Sequence, residues 1–255
     1  MGRRIVAMAC EDPRFRIAGA IEVTGNSAVG KDAGANAGIG QLGVAIGSDL
    51  RRALRSGSVI VDFTSADASL AHLEIAAGHK NAIVVGSTGF SAQQRDKAEA
   101  LARSMPTLIA PNMSLGVNVL VSLVEDAVRR LGPDFDCEIF EVHHNRKKDS
   151  PSGTALALAE AAARGAGLAA REAVLTAREG LVGERPKKEI GVFGLRGGDA
   201  AGDHTVMLLG TGERVELTHR AASRDCLVTG ALRAAAWIAD KPAGLYSMRD
   251  VISGA

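Results

Sequence analysis

The chain has 255 residues, with 30 Lys and Arg against 29 Asp and Glu and a formal net charge of +1. This balance provides no basic surface for nucleic acid or an anionic membrane, and a single Trp and a single Tyr leave few platforms for stacking bases. A hydrophobic fraction of 46% suffices for one large or two small domains, but no apolar run reaches the roughly 18 to 20 residues of a membrane span.

The N-terminal segment, residues 1–10, is predicted to be a helix. Its first five residues are basic but lack the long apolar core and small-residue cleavage site of a signal peptide. We therefore expect a cytoplasmic protein.

Residues 16–111 alternate between short apolar runs and longer helical stretches. The expected strands are Ile17–Val23, Val59–Phe63, Ile83–Val85 and Leu108–Ala110. Asp49, Ser65 and Ser91 are candidate N-caps of the helices between them. Apolar strands separated by helices predict a Rossmann-like, doubly wound parallel α/β sheet, because such strands are covered on both faces.

The ends of these strands suggest a ligand site, because open parallel sheets bind ligands beyond the carboxyl ends of their strands. Glu22 can accept both hydroxyls of an adenosine ribose, although a solvated loop glutamate is an equally good interpretation of its position alone. Gly86–Phe90 form a small flexible turn, and Ala110–Ser114 follow the next strand. Three such strand ends together favour a dinucleotide crevice.

After Ser114 the pattern changes to an α+β domain with an open mixed sheet. Leu115–Leu131 is predicted to be an amphipathic helix with Leu120, Leu123, Val124 and Val128 on one side. The predicted elements that follow are a strand at 136–144, a helix from 152 to about 165, alternating strands at 189–195, 204–209 and 214–219, and a helix at 230–240 that could cover the first domain.

This organisation predicts two domains. Residues 1–113 and 224–255 form the dinucleotide-binding domain, and residues 114–223 form a substrate-binding and oligomerisation domain. An open sheet exposes one face, and burial against a copy of itself predicts a homo-oligomer, for which we expect a tetramer. Residues 169–188, rich in charge and glycine, are predicted to be a mobile loop.

Cysteine and histidine spacing predicts no metal or disulfide. Cys10, Cys137 and Cys226 are far apart in sequence and contain no C-x-x-C pair. The six histidines form no H-x-x-x-H or H-E-x-x-H pair.

The densest polar segment is residues 141–154, EVHHNRKKDSPSGT. Ser152 is a natural N-cap, and Gly153 allows a ligand to reach the first free amides of a helix. With the Thr154 hydroxyl and the ammonium group of Lys147 or Lys148, these groups form a site for a carboxylate or phosphate.

His143 and His144 within this segment should have different roles. If the strand continues through both, they point to opposite faces. One can then exchange a proton near neutral pH while the other binds substrate or packs. For an isolated pair, a solvated basic loop with one structural histidine is the better interpretation, but the following Ser-Gly-Thr helix start favours a site.

The run from Glu141 to Ala155 closely resembles the E-x-H-H-x-x-K-x-D-x-P-S-G-T-A signature of the 4-hydroxy-tetrahydrodipicolinate reductases, also called dihydrodipicolinate reductases. The resemblance extends over nearly the whole chain. It includes the runs at 61–64, 86–90, 111–118, 178–180, 183–185, 196–199, 204–206 and 248–251.

The resemblance implies an NAD(P)H-dependent oxidoreductase of the diaminopimelate route to lysine. In this reaction a hydride reduces the cyclic dicarboxylate 4-hydroxy-tetrahydrodipicolinate to tetrahydrodipicolinate, with loss of water. The resemblance assigns His143 as proton donor and acceptor and Lys147 as a proton donor. The implied substrate contacts are His144, Gly153 and Thr154. The implied cofactor contacts are Glu22, Gly86, Ser87, Thr88, Ala110, Pro111, Asn112 and Met113.

Two departures from the family pattern affect the cofactor site. The G-x-x-G-R-M-G turn survives only as Met1-Gly2, so Met1 is what remains of the pyrophosphate cradle, and we expect translation to begin upstream. Val23-Thr24 follow Glu22 where some relatives carry Arg. Without that guanidinium, Glu22 should repel a 2′-phosphate, which predicts a preference for NADH over NADPH.

Two alternatives remain open. One is a truncated relative that oligomerises and binds dicarboxylates but is impaired in cofactor binding. The other is a different NAD(P)-dependent dehydrogenase of aspartate-derived metabolites, a class that lacks the His-His-x-x-Lys and Ser-Gly-Thr segment.

Overall fold

The computed structural model describes residues 1–254. In chain order its helices are α1 (Gly2–Glu11), α2 (Ala33–Ala37), α3 (Leu50–Ala53), α4 (Ala66–His79), α5 (Ala92–Ala102), α6 (Leu115–Leu131), α7 (Gly153–Ala166), α8 (Ala170–Ala173), α9 (Asp225–Ile238) and α10 (Met248–Ser253). Within this part of the chain, no helix is both long enough and apolar enough to span a membrane.

The strands form three sheets. They are β1 (Ala20–Ile21), β2 (Ile46–Gly47), β3 (Ile60–Asp62), β4 (Ile83–Val85), β5 (Pro106–Ile109), β6 (Asp136–His143), β7 (Val174–Leu175), β8 (Ile190–Arg196), β9 (Asp203–Gly210), β10 (Glu213–Arg220) and β11 (Gly244–Tyr246). The chain divides into two compact units, residues 1–115 with those from 225 onward, and residues 116–224.

The first unit is built on a four-stranded parallel sheet in the order β11-β5-β4-β3. Its central strands are apolar because helices cover both faces. On one face Ile83 and Val85 pack with Leu73 of α4 and Ala98 of α5. The opposite face packs against α9 and α10, as expected for a doubly wound sheet.

Helix α1 also belongs to this unit. Its Ile5 and Ala9 pack against Val228 and Leu232 of α9. An ion pair between Arg4 and Asp225 joins the same two helices, with side-chain atoms 2.6 Å apart. The apolar side of α1 is therefore buried on α9.

The second unit contains a five-stranded mixed sheet in the order β10-β9-β6-β8-β7. Strand β6 is parallel to β8 and antiparallel to β9. Helices α6 and α7 cover one face, where Leu158 packs with Ile139 and Val192, all fully buried. On the other face Phe140 and Phe193 are half-buried, while Leu195 is 51% exposed. The predicted Rossmann-like and α+β architecture is confirmed.

Three local predictions were wrong. Of Ile17–Val23, only Ala20–Ile21 form a strand, because their pairing partner is the two-residue β2 in a separate sheet. Leu123 is 51% exposed, because at 100° per residue it lies outside the arc of Val117, Leu120, Val124 and Val128. Residues 170–175 of the predicted loop form α8 and β7, because Ala173 is buried against the core of the second unit.

Candidate functional site

The polar segment after β6 lies between a strand end and a helix start. Strand β6 ends at His143, and α7 begins at Gly153. Ser152 caps α7 as predicted: its Oγ accepts a hydrogen bond from the Ala155 amide at 3.1 Å. Because the strand stops at His143, the argument that neighbouring side chains alternate between faces does not extend to His144.

A buried carboxylate joins the two ends of this segment. Glu141 is fully buried, and its Oε2 lies 2.6 Å from Nδ1 of His143. Its Oε1 accepts a hydrogen bond from the Ser152 amide at 3.0 Å. His143 and the first turn of α7 therefore meet through a single side chain.

Arg196, at the end of β8, completes the surroundings of Glu141. Its Nη1 and Nη2 donate to the two carboxylate oxygens at 2.8 and 2.9 Å. Burial alone would raise the pKa of Glu141, but hydrogen bonds from Arg196, His143 and the Ser152 amide outweigh burial, so the pKa is lowered. Glu141 is consequently an ionised acceptor.

The bond to Glu141 determines which nitrogen of His143 carries the first proton. An ionised carboxylate only accepts hydrogen bonds, so Nδ1 of His143 must donate. This leaves Nε2 as the nitrogen that can exchange a proton. Gly202 lies beside Nε2: a Cβ at this glycine, whose φ is +148°, would be 2.9 Å from that nitrogen.

His204 lies next to His143 and the cap of α7. Its ring is edge-on to that of His143, with centroids 5.2 Å apart, and its Nε2 is 3.1 Å from Ser152 Oγ. Burial, followed by the nearby His143, lowers the pKa of His204 to about 4. His204 is therefore neutral at physiological pH.

Lys147, the other predicted catalytic group, is paired with an acid of the same loop. Its Nζ is 2.9 Å from both carboxylate oxygens of Asp149. This hydrogen bond lowers the pKa of Asp149. The lysine is only 19% exposed, whereas Asp149 is 62% exposed.

The predicted substrate contacts lie at the two ends of the same loop. The His144 amide donates to the carbonyl of Ala200 at 2.9 Å, and burial, followed by Arg146 and Arg224, lowers the pKa of the His144 imidazole. Gly153 is exposed, with open space around the position of its missing Cβ. Thr154, in the first turn of α7, is half-buried.

The predicted cofactor turn follows β4 in the first unit. A Cβ at Gly86 would lie 2.4 Å from the ring of Phe63, which explains why glycine occupies this position. Ser87 is buried, and its hydroxyl accepts a hydrogen bond from Ser69 Oγ at 2.8 Å. Thr88 is exposed at the tip of the turn.

Ser69 belongs to a larger polar cluster behind that turn. Its Oγ lies 3.3 Å from the hydroxyl of Thr64, which donates to Asp62 at 2.6 Å. His72 contacts the other oxygen of Asp62 at 2.8 Å. Burial would raise the pKa of Asp62, but hydrogen bonds from His72 and Thr64 lower it.

The residues after β5 lie at the same edge of the sheet as this turn, because β4 and β5 are parallel neighbours. The Ala110 amide donates to the Val85 carbonyl at 3.0 Å. Pro111 is exposed and Asn112 is half-buried, whereas Met113 is 1% exposed and packs in the core.

The other two predicted cofactor residues lie elsewhere in the first unit. Glu22 is exposed directly after β1 in the separate two-stranded sheet, where its Oε1 accepts a hydrogen bond from the Val23 amide at 2.8 Å. Met1 is exposed at the start of α1, and its carbonyl accepts from the Arg4 and Ile5 amides.

These residues fit a pyridine nucleotide chemically. The loop after β1 carries the carboxylate of Glu22, a group that can accept ribose hydroxyls, and Thr88 and Gly89 are exposed in the turn after β4. Helix α1 begins without a side-chain cap, so its first amides can donate hydrogen bonds to an anion.

Four residues at the site were not among the predicted site residues: Glu141, Arg196, Gly202 and His204. Glu141 stands two residues before His143, a spacing that places both on one face of a strand and could have identified it. The other three lie more than 50 positions along the chain. Arg196 and His204 fall in runs that resemble the family, but neither run by itself indicates a contact with His143 or its surroundings.

Comparison with known proteins identifies two family models. The model described as "Dihydrodipicolinate reductase, N-terminus" matches residues 1–113, and "Dihydrodipicolinate reductase, C-terminus" matches residues 116–252. Together they account for most of the chain.

Curated relatives with the name 4-hydroxy-tetrahydrodipicolinate reductase match over nearly the full length. Those of Anaeromyxobacter dehalogenans and Syntrophus aciditrophicus are each 48% identical over 252 residues. The alignments cover 99% of this chain and 93% and 94% of the relatives.

Among solved structures, dipicolinate-bound dihydrodipicolinate reductase from Paenisporosarcina sp. TG-14 is similar, with a TM-score of 0.75 and 18% identity. This comparison covers 96% of this chain and 92% of the other. An amine dehydrogenase from Mycobacterium smegmatis has a TM-score of 0.60 and 15% identity, covering 97% and 92%. At these identities both comparisons concern the fold alone.

Proposed function

Because the chain belongs to the dihydrodipicolinate reductase family, we propose that His143 exchanges a proton with the substrate in this family's reaction. The chain is an NAD(P)H-dependent oxidoreductase of the diaminopimelate route to lysine. It reduces 4-hydroxy-tetrahydrodipicolinate to tetrahydrodipicolinate, with loss of water. The bound nucleotide supplies a hydride, and the side chains supply protons and positive charge.

The proposed proton exchange by His143 rests on the contact between its Nδ1 and the buried, ionised Glu141. A protonated His143 keeps its Nδ1 proton in the hydrogen bond to Glu141 and can release the proton on Nε2. The same carboxylate binds the Ser152 amide, so the proton donor lies close to the start of α7, where the positive end of the helix can attract a substrate carboxylate.

We propose that Lys147, Gly153 and Thr154 hold the dianionic substrate, with His144 beside them. The ammonium of Lys147 can exchange Asp149 for a substrate carboxylate because Asp149 is largely exposed and well hydrated. Gly153 leaves open space before the first turn of α7. Lys147 can also donate a proton, as its family resemblance implies.

An assay of NADH oxidation tests this division of roles. The substrate is the condensation product of pyruvate and aspartate semialdehyde. His143→Ala should lower kcat on the order of 100- to 10,000-fold, because one general acid contributes about that much. His79→Ala is the matched control, since His79 is an exposed histidine of α4. Turnover of His143→Ala at the control's rate would refute the assignment.

A second pair of variants tests the proposed role of Lys147 in substrate binding. Lys147→Gln should raise the KM for the dicarboxylate about 10-fold or more, because one charge-assisted contact is lost. Lys148→Gln should change KM little, since Lys148 is exposed. An equal effect of the two substitutions would contradict a specific role of Lys147.

We propose that NADH is the preferred nucleotide and that Glu22 binds the ribose hydroxyls. Glu22 is followed by Val23 and Thr24, so neither of these two residues supplies a guanidinium for a 2′-phosphate. The turn at Gly86, Ser87 and Thr88 and the residues Ala110–Met113 are the proposed positions of the nicotinamide end.

We also propose that the protein is a homo-oligomer, with a tetramer as the expected state. The support is the half-buried face of the second unit's sheet, which includes Phe140, Phe193 and Leu195. A cytoplasmic location, the absence of a metal requirement, and the lack of nucleic-acid or membrane partners stay predictions. Light scattering of the purified protein would determine the oligomeric state.

A further inference from the structure

We propose that the Glu141–Arg196 ion pair is a positioning device that orients His143, adjusts how readily it releases its proton, and fixes it relative to α7. This inference rests on the proposed role of His143. It concerns two residues that touch neither substrate nor cofactor in the proposed reaction and act through their neighbours.

The carboxylate of Glu141 is saturated by its partners. Oε1 accepts from the Ser152 amide and from Arg196 Nη2, and Oε2 accepts from His143 and from Arg196 Nη1. Each oxygen thus has one partner at the site and one guanidinium nitrogen. Any rotation of this carboxylate moves His143 and the start of α7 together.

Arg196 offsets the cost of burying this charge, and without Arg196 a protonated His143 is the cation that still contacts the carboxylate. Its fork-shaped donation to both oxygens also fixes the plane of the carboxylate. Nη2 in addition donates to the backbone carbonyl of Asp149 at 2.5 Å. Arg196 therefore ties the far end of the substrate loop to the same carboxylate.

The charged and titratable groups around His143 lie on three strands and one loop. Glu141 is on β6, Arg196 on β8, and His204 on β9, and the loop adds His144 and Lys147. Glu141 is the acid in direct contact with His143. Removing its charge should make the imidazolium lose its proton more easily, whereas removing the charge of Arg196 should have the opposite effect.

The same strand provides a matched control. Glu138 lies on the other face of β6, is 13% exposed, and is bonded to Arg178 at 2.7 Å and to Arg185 at 2.7 Å. Glu138 resembles Glu141 in burial and in its arginine partners but makes no contact with His143. Loss of either ion pair should cost stability, so stability alone does not distinguish positioning from structural support.

The experiment compares the pH dependence of kcat for Glu141→Gln and Arg196→Met with that for Glu138→Gln and Arg178→Met. In Glu141→Gln, kcat should fall about 10- to 100-fold, and the alkaline limb of the profile should move to lower pH by about one unit. In Arg196→Met this limb should move to higher pH. Both control variants should keep the limb of the wild type.

Limbs that coincide in all five proteins would overturn the inference, as would shifts of Glu141→Gln and Arg196→Met in the same direction. Circular dichroism establishes folding first; if Glu141→Gln does not fold, the direction of the Arg196→Met shift decides. The proposed function is tested independently of this inference. Wild-type turnover of His143→Ala would refute the role of His143, whereas an inactive His143→Ala with an unshifted Glu141→Gln would refute only the positioning role.

Discussion

The imidazole Nε2 of His204 lies 3.1 Å from the hydroxyl of Ser152, the residue that caps α7. Because Ser152 Oγ already accepts the Ala155 amide, its own proton is available for His204. A histidine on β9 thus supports the helix start that is proposed to bind a substrate carboxylate. A neutral imidazole can accept this proton, whereas a protonated one cannot.

The burial of His204 predicts a pH-dependent stability. His204 has a pKa of about 4 in the folded protein against 6.5 for an unperturbed histidine. As pH falls from about 6.5 to 4, His204 is protonated in the unfolded chain but not in the folded protein. The free energy of unfolding therefore falls by up to about 3 kcal/mol across that pH range. The free energy of unfolding in urea, measured across this range, should be higher for the wild type than for His204→Gln near pH 7, with a gap that narrows on acidification. A constant gap, as expected between wild type and His79→Gln, would contradict the prediction.

Gly202 should be required for access to His143. A Cβ here would lie 2.9 Å from the His143 Nε2 and would force a φ of +148° on an alanine, a strain of about 1 to 3 kcal/mol. Gly202→Ala should lower kcat about 10-fold or more and reduce the melting temperature. The control is Gly197→Ala, where a Cβ meets no atom within 4 Å and which should behave as wild type. Unchanged kcat in Gly202→Ala would mean that Nε2 is not the working nitrogen.

Ser69 should affect the binding of the nucleotide and not the binding of the dicarboxylate. Its hydroxyl donates to Ser87 in the proposed cofactor turn, and the donor is fully buried. Ser69→Ala leaves Ser87 without this donor and should raise the KM for NADH several-fold, with little change in the KM for the dicarboxylate. Ser104→Ala removes an exposed hydroxyl at the end of α5 and serves as control. A parallel rise of both KM values would indicate general destabilisation of the protein.

Val23 offers a direct test of nucleotide preference. It is 69% exposed beside Glu22, so an arginine can be accommodated there without repacking. Val23→Arg should lower the KM for NADPH about 10-fold, because a guanidinium can pair with the 2′-phosphate. Val29→Arg adds the same charge at another exposed valine and should have little effect. A markedly lower KM of the wild type for NADPH than for NADH would show that the predicted preference for NADH is wrong.

Much of the local structure could be predicted because its causes lie within a few residues. Asp49, Ser65 and Ser91 cap their helices as expected, each through an amide two or three positions ahead. The apolar run of β4 predicts a strand covered on both faces, and Val84 and Val85 are fully buried. Helix α6 has the bounds that its periodicity predicts, Leu115–Leu131.

The motif from Glu141 to Thr154 is also local, so the sequence by itself determined the family, the cap at Ser152 and the placement of His143 before α7. It did not determine what surrounds His143. Arg196 and His204 approach through the pairing of β6 with β8 and β9, between residues more than 50 positions apart. Only the tertiary structure decides such contacts, because a buried charge or imidazole is stabilised by whichever groups the sheet register brings within hydrogen-bonding distance.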